Sequence, residues 1–540
     1  MASKRELLAA TVAVLFANLG NTLPADAHET GGVAARLGKV EFRVSCNAAA
    51  QKEFEIAMAY YHSFAWPEVK AALERAIKAD ASCGMAHWAR ALATLDNPFL
   101  WPGSLTPKVL ADAQGAIEAA RAAGLGTQRE RDYVEALAAF FRDLDTLNHR
   151  TRAKAMEDAM QQVAARSPED TEATILHALV LSANFDPSDK KYTNQLRAAQ
   201  LLEPIFRRQP DHPGVAHYLI HSYDYPPIAL QGLDAAKRYS KIAPDAAHAQ
   251  HMPSHIFTRV GFWRESVDSN RQSAKVDGDR TLNSPHAYDY MVYALMQLGR
   301  DGDAKQILAH AAGVAKKPEH VAAAYAYAAM PARIALERGD WKRAAGLRLD
   351  PAAETYPWKA YPQAEAVNAF ARGVGAAQSG DTGAARSEVD RLRSLRDLAT
   401  AMKIGYWAEQ IDIQAQVVRG LAERAAGMAE AGLSTLRKAA GREDATEKHV
   451  VTPGPVLPAR EIVAMLLLES GNAVAALAEY EAVLAREPNR YRAIAGAAQA
   501  ADKAGDVKKA ANYAKQVLEL TATADTAHPE IAMARRMLGM

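Results

Sequence analysis

The sequence predicts an all-α protein in which pairs of helices stack as a solenoid. Apolar residues between Ile462 and Leu468 recur at helical spacing, and strand signals are almost absent from the chain. The strongest observation is a 34-residue period, which relates Gly471 to Gly505, Ala476 to Ala510, Val483 to Val517 and Leu484 to Leu518. A repeat of this length buries its apolar face only against its neighbours, as in a helical solenoid.

Proline and glycine mark the ends and turns of the predicted helix pairs. Pro168, Pro210 and Pro244 each follow an amphipathic helix, and the last two are again 34 residues apart. Turns at Gly261 and Gly299 indicate two further units. The same architecture is therefore expected through most of the chain.

The C-terminal unit resembles the tetratricopeptide (TPR) repeat. The later positions of that repeat are Ala, aromatic, Ala and Pro, and here they are Ala476, Tyr480, Val483 and Pro488. The resemblance implies a TPR-like superhelix of antiparallel helix pairs with a concave groove.

Two stretches interrupt the repeat pattern. Residues 356–362, Tyr-Pro-Trp-Lys-Ala-Tyr-Pro, predict a boundary between an N-terminal lobe over 28–355 and a C-terminal lobe over 356–540. Residues 443–458 form a polar, proline-rich insertion that is too long for a TPR turn. We therefore expect two TPR-like lobes, with a loop at 443–458 in the second.

Composition excludes several classes of protein. The 540 residues are 49% hydrophobic and 24% charged, which is typical of a globular chain and unlike a disordered one. The formal net charge is only +1, so no phosphate-neutralising surface and no nucleic-acid partner are expected.

Residues 1–27 predict a secretory signal peptide. A basic start at Lys4 and Arg5 precedes an apolar run over 7–19, and Ala25 and Ala27 form an A-x-A cleavage site. The alternatives are an uncleaved anchor and a buried helix. Cleavage would send the chain to the periplasm or outside the cell, with no membrane span remaining.

The chain has two cysteines, Cys46 and Cys83, both in the part predicted to be exported. An even pair in an oxidising compartment predicts one disulfide, which would close a loop of about 38 residues. Two free, buried thiols are the alternative.

Histidines provide the clearest candidate site. His217 and His221 have the i, i+4 spacing that places two imidazoles on one face of a helix, and His251 and His255 repeat it. Each residue of the second pair follows its counterpart by 34 positions, which is the repeat length. The two pairs are thus predicted to lie at the same height on neighbouring helices, where they could share one or two metal ions.

The TPR resemblance adds four secondary candidates. It implies that positions two, five, nine and twelve of the first helix of each unit face the groove, which places His248, Asp224, His286 and Asp289 near the four histidines. Pro253 complicates this picture, because it disfavours helix at the residue before it. A helix beginning there would make His248 and His255 an alternative pair of ligands.

Ligand type limits the choice of metal. Nitrogen-rich sites suit copper, zinc, iron and nickel, so we expect copper or zinc first, with iron next. Asp224 or Asp289 could orient the imidazoles from behind, and an open ligand position could activate water or bind dioxygen.

The insertion at 443–458 is a second place where functional residues are expected. Glu443, Glu447 and His449 lie in it, and long loops in compact folds are often functional. A solvated connector is the alternative. His62 and His87, each close to a tryptophan, are predicted to be packing residues with a possible place in the groove.

Beyond the repeat, the chain resembles a subgroup of exported bacterial TPR proteins over nearly its whole predicted mature length. The matching stretches are Ser45-Cys46, His62-Ser63-Phe64, His217-Tyr218-Leu219-Ile220-His221, His251-Met252-Pro253-Ser254-His255-Ile256, Pro331-Ala332-Arg333, Tyr406-Trp407-Ala408-Glu409-Gln410 and Glu443-Asp444-Ala445-Thr446-Glu447-Lys448-His449. This resemblance implies a fold and emphasises these residues without implying a reaction. Residue 224 is often Glu in such proteins and is the shorter Asp here.

Two functional hypotheses follow from the sequence. In the first, the groove histidines hold a transition metal that performs oxidative or hydrolytic chemistry on a peptide or small molecule. In the second, the groove is a non-catalytic scaffold for a peptide or protein segment, and a periplasmic metal chaperone lies between the two.

Overall fold

The computed structural model describes residues 35–540, and the predicted signal peptide lies outside them. These residues form 26 α-helices and four short 3-10 helices, with no β-strand among them. The first thirteen α-helices are α1 Ala48–His62, α2 Trp66–Ala79, α3 Gly84–Leu95, α4 Pro107–Ala123, α5 Gln128–Ala138, α6 His149–Arg166, α7 Thr171–Ala183, α8 Thr193–Arg208, α9 Pro213–Tyr223, α10 Leu233–Ile242, α11 Ala247–His251, α12 Pro253–Arg259 and α13 Trp263–Asp277.

The remaining α-helices are α14 Asn283–Gln297, α15 Asp301–Gly313, α16 Val321–Glu337, α17 Trp341–Ala345, α18 Pro362–Gln378, α19 Thr382–Ala401, α20 Gly405–Ala425, α21 Ala429–Asp444, α22 Ala459–Glu469, α23 Ala473–Arg486, α24 Tyr491–Lys503, α25 Val507–Leu520 and α26 Pro529–Met537. The 3-10 helices are Pro98–Leu100, Ala139–Phe141, Ala229–Gly232 and Trp358–Ala360.

The structure confirms the predicted fold class, a TPR-like helical solenoid. Helices pack mainly against their neighbours in the sequence, as in α13 with α14, α18 with α19 and α19 with α20. The period is visible in the helix starts: α9 begins at Pro213 and α11 at Ala247, while α23 begins at Ala473 and α25 at Val507. Both pairs of starts are 34 residues apart.

The predicted turns at Gly261 and Gly299 are present. Each glycine has a φ of +71°, in the left-handed region that glycine adopts without steric cost. At Gly261 a Cβ atom would also collide with the backbone carbonyl of Pro488. This position therefore serves both the turn and a contact with a distant part of the chain.

The apolar core is divided near residue 260. One large cluster of buried side chains extends from Leu37 to Phe257, and a second begins at Trp263. The 3-10 helix Trp358–Ala360 does interrupt the helix pairs at the predicted lobe boundary. However, Trp358 belongs to the second cluster, so the core is continuous across that boundary.

The C-terminal helices fold back against the middle of the chain. The indole Nε1 of Trp263 donates to the backbone oxygen of Asn489 at 2.8 Å, and the backbone N–H of Tyr491 donates to Gln297 at 2.9 Å. Arg490, which is fully buried, forms an ion pair of 2.7 Å with Glu337. These contacts bring the segment between α21 and α22 towards the middle helices.

The irregular loop is shorter than the insertion predicted at 443–458. Glu443 and Asp444 are the last two residues of α21, and irregular backbone covers 445–458 before α22. We refer to residues 445–458 as the covering loop. No helix in the described part of the chain is long and apolar enough to cross a membrane.

Cys46 and Cys83 form a disulfide. Cys46 lies just before α1, and Cys83 is the residue before α3, where its side chain is fully buried. The bond therefore connects the two ends of the first helix pair.

Replacing both cysteines with alanine should lower the free energy of unfolding by about 4 kcal/mol, because the cross-link restricts the unfolded chain over about 38 residues. Urea unfolding of the oxidised protein and of the Cys46→Ala, Cys83→Ala variant measures the difference. A reductant should weaken the parent protein and leave the variant unchanged. Equal stability of the oxidised parent and the variant would contradict the prediction.

Candidate metal centre

Six histidines form two groups of three in the middle of the fold. His217, His221 and His248 form the first triad, and each offers a nitrogen within 4.8 Å of the other two. The second triad meets the same limit and consists of His251, His255 and His286. The two are adjacent, since the ring centroids of His221 and His255 are 6.0 Å apart.

The structure thus brings all four main candidates together and places two of them in each triad. His217 and His221 come from α9, and His248 from α11 completes their triad. His251 and His255 belong to the second triad, which α14 completes with His286. The alternative ligand pair of His248 with His255 is not found, because the two residues belong to different triads.

Pro253 leaves the backbone before it helical. It ends α11 and begins α12, yet Met252 between them keeps a helical backbone, with φ of −53° and ψ of −36°. The i, i+4 relation of His251 and His255 therefore survives, and their Nε2 atoms are 3.0 Å apart. Proline is tolerated here because the first turn of a helix has no intrahelical partner for that N–H.

The first triad has the spacing of a three-nitrogen metal site. The Nε2 atom of His217 lies 3.1 Å from that of His221 and 3.2 Å from that of His248. Metal–nitrogen bonds of about 2.0 Å in tetrahedral geometry place neighbouring ligand nitrogens roughly 3.3 Å apart. One ion could bind these three nitrogens with only small movements of the rings.

Three of the six rings are oriented by a hydrogen bond from Nδ1. His217 donates to the backbone oxygen of His62 at 2.7 Å, and His255 donates to the carboxylate of Asp224 at 2.8 Å. Both acceptors lack a proton to give, so Nδ1 carries the hydrogen and Nε2 keeps its lone pair for a metal.

His251 is oriented by an amide. Its Nδ1 lies 2.6 Å from Oδ1 of Asn270, whose Nδ2 donates to the backbone oxygen of Ser266 at 2.7 Å. That second bond fixes which end of the amide faces the ring. His251 therefore also presents a bare Nε2 to the second triad.

His286 has a buried nitrogen that lacks a partner. Its Nδ1 makes no hydrogen bond to any residue in the described range, although the side chain is only 7% exposed. Buried polar atoms in folded proteins are nearly always bonded, so an orphaned nitrogen beside two other imidazoles fits an ion that would bind there.

Burial keeps these imidazoles neutral. It lowers the pKa of His217, His221, His248, His251 and His286 well below the ordinary value for histidine, and neighbouring histidines add to the effect in each case. Burial also lowers the pKa of His255, against the opposing charge of Asp224. Neutral imidazole is the form that binds metals.

The two aspartates among the candidates lie behind the histidines and outside both triads. Asp224 is the hydrogen-bond acceptor of His255, as an orienting residue would be. Asp289 instead forms a fully buried ion pair with Arg333, with Nε to Oδ1 at 2.7 Å. Arg333 also donates to Thr452 at 2.9 Å, so Asp289 supports the covering loop rather than an imidazole.

Aromatic rings cover the first triad. The ring of Phe99 stacks on His221, with centroids 3.9 Å apart and planes inclined by 18°, and Phe64 stacks on His248 at 5.3 Å. Phe64 has a φ of +50°, and Asp96, three residues before Phe99, has φ of +61° and ψ of −149°. Such strained conformations of non-glycine residues cluster at functional sites.

A third group of possible ligands lies behind the first triad and is already satisfied. Glu172 accepts from Nε2 of His62 at 3.0 Å and from Nε2 of His212 at 2.7 Å. The other ring nitrogens are also bonded, to the hydroxyl of Tyr218 at 2.9 Å and the backbone N–H of Val215 at 3.3 Å. We interpret this network as a support for the backbone oxygen of His62, which orients His217.

The covering loop lies against residues that surround the two triads. Nζ of Lys448 lies 2.7 Å from Oδ2 of Asp224, and the backbone oxygen of Thr452 accepts from Tyr290 at 3.2 Å. Tyr290 itself lies within the second triad, with its hydroxyl 3.4 Å from Nε2 of His255. The loop therefore contacts the surroundings of both triads.

Of the three candidates in the predicted insertion, Glu443 lies at the end of α21, whereas Glu447 and His449 lie in the covering loop. Glu447 accepts from Lys190 and from the hydroxyl of Tyr192, both at 3.1 Å. The backbone N–H of His449 donates to Tyr406 at 3.0 Å, and burial lowers the pKa of His449 to about 3. None of these three candidates belongs to a triad.

A cavity of about 1090 Å³ lies beside the first triad. His221 and Asp224 form part of its wall, and residues 445–450 of the covering loop form another part. None of the residues that line it belongs to the second triad. This cavity, which we call the chamber, is large enough for a small organic molecule.

Comparison with known proteins identifies no family. No protein-family model matches the chain, and no curated protein matches it. Among solved structures, Naa15/Naa10 bound to HypK-THB is 11% identical with a TM-score of 0.24, and 91% of this chain aligns with 92% of that one. The yeast Tom70 is 12% identical with a TM-score of 0.31, and the shares are 91% and 89%. Values this low carry no argument about the chain.

Several functional residues were missed by reasoning from the sequence. Glu172, Asn270 and Phe99 lie in helices or turns without a motif of their own, and Lys448 appears only within the Glu443–His449 stretch of the bacterial TPR resemblance. A signal was present for Phe64, which belongs to the His-Ser-Phe stretch of the bacterial TPR resemblance. Tyr406 and Arg333 belong to two other such stretches, and both hold the covering loop.

The buried acid at the end of α21 should make stability depend on pH. Burial raises the pKa of Glu443 to about 8, whereas its ordinary value is 4.5. The folded protein then binds more protons than the unfolded chain between these values, so this residue removes stability as the pH rises from 4.5 to about 8.

Glu443→Gln keeps the acceptor for the backbone N–H of Ala459, which is 2.7 Å away, and cannot ionise. Relative to the parent protein, the variant should gain about 1.4 kcal/mol of unfolding free energy per pH unit over this range. Urea unfolding at pH 5, 6 and 7 measures the slope, with the exposed Glu354→Gln as control. Parallel pH profiles of parent and variant would contradict the prediction.

Proposed function

We propose that the protein is a metalloenzyme that binds two transition-metal ions, one in each triad, and uses them for oxidative chemistry on a small molecule in the chamber. The observation that carries the proposal is the presence of two adjacent groups of three buried histidines, each with nitrogens within 4.8 Å of one another. The Nε2 atoms of His251 and His255 are 3.0 Å apart although both rings carry their hydrogen on Nδ1, so this contact needs a proton or an ion between the two nitrogens.

Copper is the first choice of metal, followed by zinc and then iron. Copper(II) binds most tightly among the divalent ions of its row at a given nitrogen site. No carboxylate belongs to either triad within the described residues, which disfavours calcium and magnesium. A bound copper pair supplies electron transfer and dioxygen chemistry.

The residues of this chain would divide the remaining tasks. The backbone oxygen of His62 and the side chains of Asp224 and Asn270 each bind Nδ1 of one imidazole. The Nε2 atoms of these three rings then point into the triads. The aromatic rings of Phe64 and Phe99 cover His248 and His221 of the first triad, and the covering loop contacts Tyr290 beside the second. The chamber admits the substrate from the side of His221.

Metal analysis of the full-length protein tests the proposal. After reconstitution with copper and removal of weakly bound ions, we expect close to two copper ions per chain. The Cu(II) form should give an electron paramagnetic resonance signal smaller than its copper content, because neighbouring ions couple. His217→Ala combined with His251→Ala should remove both ions.

The exposed His310, which pairs with Asp279 outside the site, provides a matched control as His310→Ala. Circular dichroism confirms that each variant remains helical. Unchanged copper content in a folded double variant would overturn the proposal. Protein that takes up no metal would indicate a peptide-binding groove, and copper that passes rapidly to a competing chelator would indicate a metal chaperone.

Asn270→Leu should weaken one ion selectively. It removes the acceptor of His251 Nδ1 and leaves the partners of the first triad in place. Loss of such an orienting partner typically costs 10- to 100-fold in metal affinity, so we expect roughly that loss for one of two ions. Competition titration with a copper chelator resolves the two affinities. A loss shared equally by both ions, or no loss, would contradict the assignment of Asn270 to the second triad.

A further inference from the structure

We propose that the chamber binds a small aromatic molecule that carries a positively charged amine, and that this molecule reaches only the ion of the first triad. The inference rests on the proposed function for the identity of the reacting centre. The binding of the molecule itself is argued from the walls of the chamber.

Access is limited to one triad. His221 lies in the wall of the chamber, whereas no residue of the second triad lines it. Tyr290, which is fully buried, stands within the second triad with its ring centroid 4.8 Å from that of His251. A molecule entering from the chamber therefore meets the first triad and is separated from the second.

Aromatic side chains form much of the chamber wall. They are Phe99, Trp101, Phe185, Tyr225 and Tyr406. Aromatic faces bind planar rings by offset or edge-to-face contacts. Phe99 is already stacked on His221, so it is the residue against which an aromatic ligand would lie next to the first ion.

One carboxylate in the chamber wall has an oxygen that no donor in the described residues satisfies, although most acidic residues of the wall are already paired with Lys or Arg. This carboxylate is that of Glu447, whose side chain is 8% exposed and whose Oε2 is buried with no hydrogen-bond partner within residues 35–540. A buried carboxylate oxygen without a donor is costly, and an ammonium group on the ligand would supply that donor.

Phe99 also has a rigid position. The side chain of Asn97 caps its backbone N–H at 3.0 Å, and the indole of Trp101 donates to the backbone oxygen of Leu95 at 2.9 Å. The turn begins at the strained Asp96. This turn holds the ring in place before any ligand arrives, which reduces the entropy lost on binding.

Two probes of similar size test the proposal: tyramine, which joins a phenol ring to an ammonium group, and 3-(4-hydroxyphenyl)propionate, which joins the same ring to a carboxylate. Calorimetric titration of the metal-free, full-length protein should show tyramine binding roughly 10- to 100-fold more tightly, as expected for a hydrogen bond between charged groups. In the copper form, tyramine should also perturb the metal absorption spectrum.

Two variants separate the contributions. Glu447→Gln keeps the acceptor for Lys190 and Tyr192 and should reduce the preference for tyramine to less than about 3-fold. Phe99→Ala should weaken both probes alike, by up to roughly 10-fold, and keep the preference. Glu354→Gln, at an exposed residue that does not line the chamber, should change neither.

The outcomes distinguish this inference from the proposed function. If neither probe binds, or if Glu447→Gln retains the full preference, the inference is wrong even when two copper ions are present. If tyramine binds with the expected preference but the protein takes up no copper, the chamber assignment stands and the metalloenzyme proposal fails. If tyramine instead removes copper and leaves the spectrum of the remaining ions unchanged, the proposal that it reaches the first ion is wrong.

Discussion

One buried carboxylate holds the parts of the candidate site in their relative positions. Asp224 directly follows α9, which carries the first pair of histidines, and it accepts from His255 and Arg259 of α12, both at 2.8 Å. It also pairs with Lys448 of the covering loop at 2.7 Å. Burial opposes its ionisation, but the two cations outweigh this and hold the pKa of Asp224 well below its ordinary value. Because removing one partner would leave buried charges uncompensated, the two triads and the loop are fixed together.

Local periodicity made the fold and half of the site predictable from the sequence. A 34-residue repeat fixes the spacing of equivalent helices, so it placed His217 and His221 beside His251 and His255 without any knowledge of tertiary contacts. The way in which the histidines group into triads was harder to predict from the sequence. It depends on Met252, whose helical backbone preserves the spacing of His251 and His255, and on which neighbouring helix supplies the third ring to each pair. Spacing along one helix contains neither piece of information.

The place of the covering loop could not be predicted because long-range contacts determine it. Nothing in residues 445–458 themselves indicates which surface they meet. Their position follows from the return of the C-terminal helices, through Trp263 with Asn489 and the buried pair of Arg490 with Glu337. Arg333 then holds the loop through Thr452 and Gly454. The position of Asp289 in the repeat made it a plausible ligand. Its carboxylate instead neutralises the buried Arg333, which needs a counter-ion.

The different surroundings of the two triads support the proposed catalytic role over metal storage or transfer. The second triad does not line the chamber, and Tyr290 lies between His255 and the covering loop. The first triad is bounded by Phe64 and by the turn that carries Phe99, and both involve strained non-glycine backbone. Strain of this kind costs roughly 1–3 kcal/mol per residue and persists only where surrounding structure enforces it. A carrier that must release its ion gains nothing from such surroundings or such strain. An enzyme that keeps its ions and presents one of them to a substrate chamber gains from both.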